Sequence, residues 1–114
     1  MSDDCIFCKI IAGEMGDPPL YQDDDVTAFR DINPQAPTHI LIVPNKHMTS
    51  VNEALPEDQT VLGKMMLTAA KLAQDEGVAG SGYRLIINNG PEAGQVVFHL
   101  HMHLMGGRKM RGLG

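Results

Sequence analysis

Three histidines that alternate with apolar residues are the strongest chemical signal in this sequence. His99, His101 and His103 occupy every second position of one short run. Successive side chains of a β-strand point to opposite faces, so a strand here would place all three imidazoles on one face. Imidazole is the side chain whose ordinary pKa lies nearest neutrality. The cluster therefore offers a nucleophile, a base and an acid together.

The same spacing is also compatible with a metal site, because a His-x-His pair can ligate one ion. A three-histidine zinc site usually takes its third ligand from another segment, since alternate positions lie roughly 6.5–7 Å apart along a strand. The triplet alone therefore leaves metal binding, metal-free catalysis and a structural role open.

Cys5 and Cys8 form a second, weaker signal. A Cys-x2-Cys pair is half of many zinc sites. The alternative is two reduced thiols on a helix. A thioredoxin-like redox pair is disfavoured, because the motif does not open a helix that follows a strand.

The composition is that of one small globular domain. The chain has 114 residues, and no linker divides 1–114 into separate units. A net charge of −5 argues against a nucleic-acid partner. No apolar run approaches the ~20 residues of a membrane span, and Met1–Asp4 is acidic, unlike a signal peptide. With two cysteines and no export signal, the sequence predicts a cytoplasmic protein with no membrane partner.

The elements that must position these residues indicate an α+β fold. A short helix is predicted over Cys5–Ala12, and a long one starts at Pro56 and stops at Gly77. The predicted strands span Leu20–Gln22, Val26–Arg30, His39–Pro44, Tyr83–Asn88 and Phe98–Met105. Five strands with one long and one short helix predict a five-stranded antiparallel sheet with helical cover.

The run Gly94-Gln95 followed by His99-Leu100-His101-Met102-His103-Leu104-Met105 resembles the histidine triad (HIT) motif. Segments 29–39, 44–47 and 106–108 are similar to the Hint branch of that superfamily, in the same order, so the likeness covers nearly the whole chain. It implies a HIT-like fold and a homodimer whose sheets join into one. The activity it implies is hydrolysis at the α-phosphorus of purine nucleoside phosphoramidates, derivatives of AMP or GMP.

The resemblance also implies roles for the histidines. His101 is the implied nucleophile, which forms a nucleotidyl-histidine intermediate that water then cleaves. His99 and His103 are expected to donate to phosphate oxygens. His39 is expected to exchange a proton with His103, the alternative being a hydrogen-bonded core histidine. Such a site requires no cofactor for catalysis.

Nucleotide recognition is implied at other positions. Asp31 matches the acid that accepts both ribose hydroxyls, although a turn-capping acid is the alternative. Asn88 and Gln95 match positions near the phosphate, and Gly94 would allow close backbone approach. The residues matching the apolar slot for the base, each of which alone could be ordinary core, are Ile6, Phe7, Ile10, Phe29, Ile32 and Leu41.

Two departures from the Hint pattern concern the leaving-group side. Val96 stands where the branch usually has a phosphate-contacting serine, and Gly112-Leu113-Gly114 lacks the tryptophan often found there. Two other functions therefore stay open: a dinucleoside polyphosphate hydrolase, and a nucleotide-binding regulatory protein with incidental turnover. By analogy with triad relatives, His47 and His99 would join Cys5 and Cys8 in a structural zinc site.

Overall fold

The computed structural model describes residues 4–113. Met1–Asp3 and Gly114, which entered the expectations for the acidic start and the tail, lie outside the described residues. The helices are α1 (Ile6–Ile11) and α2 (Gln59–Asp75). The strands are β1 (Tyr21–Gln22), β2 (Val26–Arg30), β3 (Thr38–Pro44), β4 (Tyr83–Ile87) and β5 (Met102–Gly106).

The five strands form one antiparallel sheet in the order β1-β2-β3-β5-β4. This confirms the predicted fold class. β3 is the central strand, and all seven of its residues are buried. β4 lies at the edge, with β5 as its ladder partner.

The two faces of the sheet bury different clusters. On one face α2 covers the main core, whose members include Val26, Ile40, Ile42, Met65, Ala69, Leu72, Leu100, Met102 and Leu104. On the other face α1 packs over a smaller cluster formed by Cys5, Phe7, Cys8, Phe29, Leu41 and Val43. The alternation of β3 divides its residues between the two, so one strand supports both layers.

The predicted histidine strand is wrong at its start. It was expected over Phe98–Met105, but β5 begins at Met102, so His99 and His101 precede the strand. Pairing of β5 with β3 and β4 ends at Met102, opposite Ile42 and Ile87. The Leu100 N–H donates to the Met48 carbonyl at 2.7 Å instead. The alternation of faces nevertheless persists, since Leu100, Met102 and Leu104 all enter the main core.

The long helix differs in detail from its prediction. Pro56–Asp58 forms a 3-10 turn, and the α-helical part starts at Gln59. The helical spacing of apolar residues predicts Met66 on one buried stripe with Met65 and Ala69. Met66 is instead 53% exposed, and its neighbour Leu67 is 73% exposed. Within residues 4–113, no helix is long and apolar enough to cross a membrane.

The segment after β5 braces the loop before β3. A side chain at Gly107, where φ is +94°, would place its Cβ 2.9 Å from the Pro37 Cβ. The next residue, Arg108, donates from Nη2 to the Gln35 carbonyl at 2.7 Å. Glycine at 107 thus leaves room for Pro37, and the Arg108 hydrogen bond ties this segment to the loop that leads into His39.

Candidate active site and sulfur–histidine cluster

The main chain fixes the proton of His101. Its Nδ1 lies 2.8 Å from the carbonyl oxygen of His99. A carbonyl only accepts, so Nδ1 carries the proton and Nε2 keeps its lone pair. A neutral imidazole in this tautomer is a nucleophile with one reacting atom.

His39 and His103 form a second hydrogen-bonded pair. The Gln35 N–H donates to His39 Nδ1 at 3.0 Å, so the His39 proton is on Nε2. His39 Nε2 lies 2.9 Å from His103 Nδ1 and 3.4 Å from the carboxylate of Asp31. Because His103 Nδ1 accepts, its own proton is on Nε2. The ring centroids of His101 and His103 are 5.0 Å apart, so the two imidazoles are neighbours.

Burial keeps this pair neutral in the free protein. It lowers the pKa of His103 to about 4, helped by the nearby His101 and His39 rings and opposed by Asp31. Burial also lowers the pKa of His39, again opposed by the Asp31 carboxylate. The pair is therefore built from neutral imidazoles whose protons are already ordered.

His99 points away from the reacting pair. It is fully buried, its Nε2 lies 2.8 Å from the Pro44 carbonyl, and its Nδ1 lies 3.3 Å from the Cys5 sulfur. Both ring nitrogens are thus occupied. The expectation that His99 donates to a phosphate oxygen is corrected by this geometry.

Cys5, Cys8, His47 and His99 form what we call the sulfur–histidine cluster. One ligand atom from each lies within 4.8 Å of all the others. The Cys8 sulfur is 3.4 Å from His47 Nδ1 and 3.6 Å from His99 Nδ1. Burial, with Cys5 beside it, raises the pKa of the Cys8 thiol to about 11, so this sulfur stays protonated until a cation holds it. These residues could hold a metal.

Phe7 packs against both His101 and His99, and so lies between the proposed nucleophile and the sulfur–histidine cluster. Its ring meets the His101 ring edge-on with centroids 5.1 Å apart, and the His99 ring at 5.9 Å. It also meets Phe29 edge-on at 5.4 Å. Phe7 lies between the two cysteines in the sequence, so α1 carries the cluster thiols and the packing partner of the nucleophile together.

The structure brings together most of the expected apolar slot. Phe7, Phe29 and Leu41 share one buried cluster, and Ile10 packs against it. Ile6 is 41% exposed and Ile32 is 92% exposed, so neither belongs to that cluster.

Two of the polar residues expected to bind the nucleotide already make hydrogen bonds within the protein. Asp31 accepts from the Asn33 N–H at 2.8 Å, as a turn-capping acid does, while its other oxygen faces His39. Gln95 is buried, and its side chain bonds to main-chain groups of Gly90, Thr49 and Val97.

Gly94 and Asn88 lie next to each other. A Cβ added at Gly94, where φ is +97°, would be 4.0 Å from the amide nitrogen of Asn88. Val96 is 82% exposed at the position of the usual serine and presents no polar side-chain atom to a phosphate.

Sequence reasoning missed the main-chain groups that set the protons. The carbonyls of His99 and Pro44 and the N–H of Gln35 determine three imidazole tautomers. Every residue offers such groups, so no residue type in the sequence signals them.

Comparison with known proteins agrees with this geometry. The family model described as the HIT domain matches residues 12–110. The chain belongs to the HIT family. It is 54% identical over 110 residues to the purine nucleoside phosphoramidase of Escherichia coli strain K12, covering 96% of this chain and 92% of that protein.

Solved structures resemble this HIT protein closely. A HIT family hydrolase from Clostridium thermocellum superposes with a TM-score of 0.94 at 45% identity, covering 99% of this chain and 98% of that one. A HIT family hydrolase from Legionella pneumophila Philadelphia 1 gives a TM-score of 0.91 at 46% identity, covering 95% and 96%. Cys5 and Cys8 precede the residues that the family model matches.

Proposed function

We propose that this HIT protein hydrolyses purine nucleoside phosphoramidates, with His101 as the nucleophile at the α-phosphorus. The observation that carries the proposal is the hydrogen bond from His101 Nδ1 to the His99 carbonyl, which leaves Nε2 free to attack. The similarity to a protein named purine nucleoside phosphoramidase supports the substrate class.

The reaction divides into two displacements. In the first, the lone pair of His101 Nε2 forms a bond to phosphorus, the phosphorus–nitrogen bond breaks, and the amine leaves. The Nδ1–H then carries part of a positive charge, which the His99 carbonyl stabilises. In the second, water attacks phosphorus and releases His101, so the products are the nucleoside monophosphate and the amine.

The reaction needs one group that donates a proton to the leaving amine and later accepts one from water. The departing amine gains a proton and the attacking water loses one, so the two steps together balance. His103, with Nε2–H directed away from His39, is the group we assign to this exchange. His39 acts behind it by holding the donor tautomer.

Turnover of adenosine phosphoramidate by the wild type and by His101→Ala tests this function. The variant should lose at least about 10⁴-fold in kcat, the scale seen when a nucleophile is removed, while its affinity for AMP is retained. Acid quenching of the wild-type reaction should trap nucleotide on the protein. Undiminished turnover by the variant would contradict the assignment.

The same assay separates the two alternatives. A dinucleoside polyphosphate hydrolase would turn over a diadenosine polyphosphate with higher kcat/KM than the phosphoramidate. A nucleotide-binding regulatory protein would bind AMP but show no dependence of its slow turnover on His101.

We also propose that the sulfur–histidine cluster holds a structural zinc ion. Two sulfurs and two imidazole nitrogens are a common donor set for tetrahedral zinc. Zinc–sulfur bonds of about 2.3 Å and zinc–nitrogen bonds of about 2.0–2.1 Å imply sulfur–nitrogen separations of about 3.5 Å. The separations here are 3.3, 3.4 and 3.6 Å, which fit. Metal analysis should find one zinc per chain in the wild type grown with zinc and less in His47→Ala; equal content would contradict the site.

We further propose a homodimer. β4 is an edge strand, and exposed backbone edges invite pairing. The exposed Met66 and Leu67 side chains on α2 would be covered in the same assembly. Ultracentrifugation at micromolar concentration should report twice the chain mass of 12.4 kDa, and Leu67→Glu should weaken the association. A wild type that sediments as a monomer would contradict the dimer.

A further inference from the structure

We propose that the sulfur–histidine cluster is a positioning element for the nucleophile, so that an occupied cluster is needed for a high kcat. This inference rests on the zinc site proposed above and concerns what that site does for His101. Two contacts connect the cluster to the reacting histidine, one through the main chain and one through packing.

The main-chain connection runs through His99. The His99 side chain is a member of the cluster, and its carbonyl accepts the His101 Nδ1–H at 2.8 Å. Its other ring nitrogen is held by the Pro44 carbonyl. A shift of the His99 ring therefore moves the acceptor that orients the nucleophile.

The packing connection runs through Phe7. Its ring lies against His101 at a centroid distance of 5.1 Å, and Cys5 and Cys8 flank it on α1. A helix of six residues has little stability of its own. Ligation of both thiols would fix α1 on the sheet and with it the ring that supports His101.

The segment that carries His99 and His101 needs such support, because it lies outside the β-ladder. Pairing of β5 begins at Met102, opposite Ile42 and Ile87. Before that, Leu100 has one main-chain hydrogen bond, to Met48. A displacement of about 1 Å at a reacting group can cost about 100-fold in rate. Loss of the metal should therefore lower kcat and leave nucleotide affinity largely intact.

The N-cap position of α1 allows a matched pair of variants. Cys5 caps the helix, its sulfur accepting from the Cys8 N–H at 3.3 Å. Cys5→Ser keeps a capping side chain but removes a thiolate ligand, whereas Cys5→Asp keeps both a cap and an oxygen ligand for zinc. Both variants keep a cap on α1, so they differ chiefly in the zinc ligand and in the charge of the side chain.

The experiment measures bound zinc, kcat, AMP affinity and the nitrogen NMR signals of the His101 ring. We expect Cys5→Ser to lose zinc and about tenfold or more in kcat, with AMP affinity within about threefold and a mixture of His101 tautomers. Cys5→Asp should recover zinc, kcat and the single tautomer. If Cys5→Ser does not fold, His47→Gln removes another ligand without altering α1.

The outcomes distinguish the separate claims. Zinc loss with unchanged kcat and an unchanged His101 tautomer would overturn the inference and leave the zinc site standing. A wild type without zinc would overturn both. If the wild type binds zinc but does not cleave phosphoramidates, the proposed activity fails, while the tautomer of His101 in Cys5→Ser still decides the inference.

Discussion

His99 and His103 occupy equivalent positions of one alternating pattern, yet the protein uses them differently. His99 is fully buried, with one nitrogen on the Pro44 carbonyl and the other facing cysteine sulfur. His103 is half-buried, with one nitrogen accepting from His39 and the other left as a donor beside His101. Residue type and spacing are shared, so the difference comes from the neighbouring segments.

The comparison shows how a repeated residue type acquires separate roles. The Pro44 carbonyl and the two cysteine sulfurs lie around the His99 ring, which is why we propose His99 as a metal ligand. The Gln35 N–H bonds to His39 Nδ1, so His39 donates to His103 Nδ1 and the His103 proton lies on Nε2. Substitutions of the two histidines should therefore have different effects on catalysis and on metal content.

Substitution by Asn should change kcat and zinc content differently at His103 and at His99, and this difference should be the most pronounced. His103→Asn should lower kcat by about 10²–10⁴-fold, the usual contribution of a general acid or base, with zinc retained. His99→Asn should lose zinc and lower the unfolding temperature. Steady-state kinetics, metal analysis and calorimetry on both variants provide the check. Equal losses of kcat without any difference in zinc would mean that the two histidines share one role.

Asp31, whose carboxylate lies 3.4 Å from His39 Nε2, is expected to bind the ribose. Asp31→Ala should weaken binding of a ribonucleotide by about 1.5–3 kcal/mol, the range for hydrogen bonds to a charged group. An analogue that lacks both ribose hydroxyls should lose much less. Calorimetric titration of both ligands into both proteins measures the difference. Equal losses for the two ligands would make Asp31 a structural acid that acts on His39.

A substitution at Gly107 tests whether the segment after β5 supports the loop that leads into His39. Gly107→Ala forces a side chain onto Pro37 at a backbone angle that favours glycine, so we expect a loss of about 1–3 kcal/mol in unfolding free energy. Its kcat should fall while its zinc content is kept. Gly112→Ala is the matched control, because a Cβ there has no neighbour within 4 Å. Denaturant unfolding that gives the same stability for both variants would contradict the brace.

The smallest expected effect is the pH dependence of stability. The folded pKa values of His39 and His103 lie below the ordinary value of 6.5, with His103 at about 4. The unfolded chain therefore binds protons more readily, so this contribution is complete above pH 6.5 and is lost as the pH falls toward 4. Urea unfolding should give a lower free energy at pH 5 than at pH 7. His103→Asn should reduce that difference; if it leaves the difference unchanged, His103 is not its source.

Sequence reasoning recovered the fold because local patterns and the global fold agree. A continuous run of β-branched and apolar residues marked β3, and the antiparallel five-stranded sheet followed from five short strands and one long helix. The positions of Cys5, Cys8, His47 and His99 in one cluster were reached through resemblance rather than through spacing, since three separate segments supply them.

What the sequence could not provide was the direction of each imidazole. The alternation around His101 predicted a strand there, but strand pairing depends on partners elsewhere, and Met48 and Pro44 supply hydrogen bonds of another kind. Met66 was similarly misplaced because helical periodicity gives the spacing of a stripe and not its width. Both errors concern contacts between segments, which single-segment patterns do not contain.

The main-chain hydrogen bond from Gln35 to His39 also affects how fast the reaction can begin. The two tautomers of an imidazole interconvert through the charged form, and a pKa of about 4 leaves His103 charged in about one molecule per thousand at pH 7. A tautomer chosen only when the substrate arrived would require that rare form before each turnover. Because the fold orders the protons of His39 and His103 in advance, the first chemical step starts without such a delay.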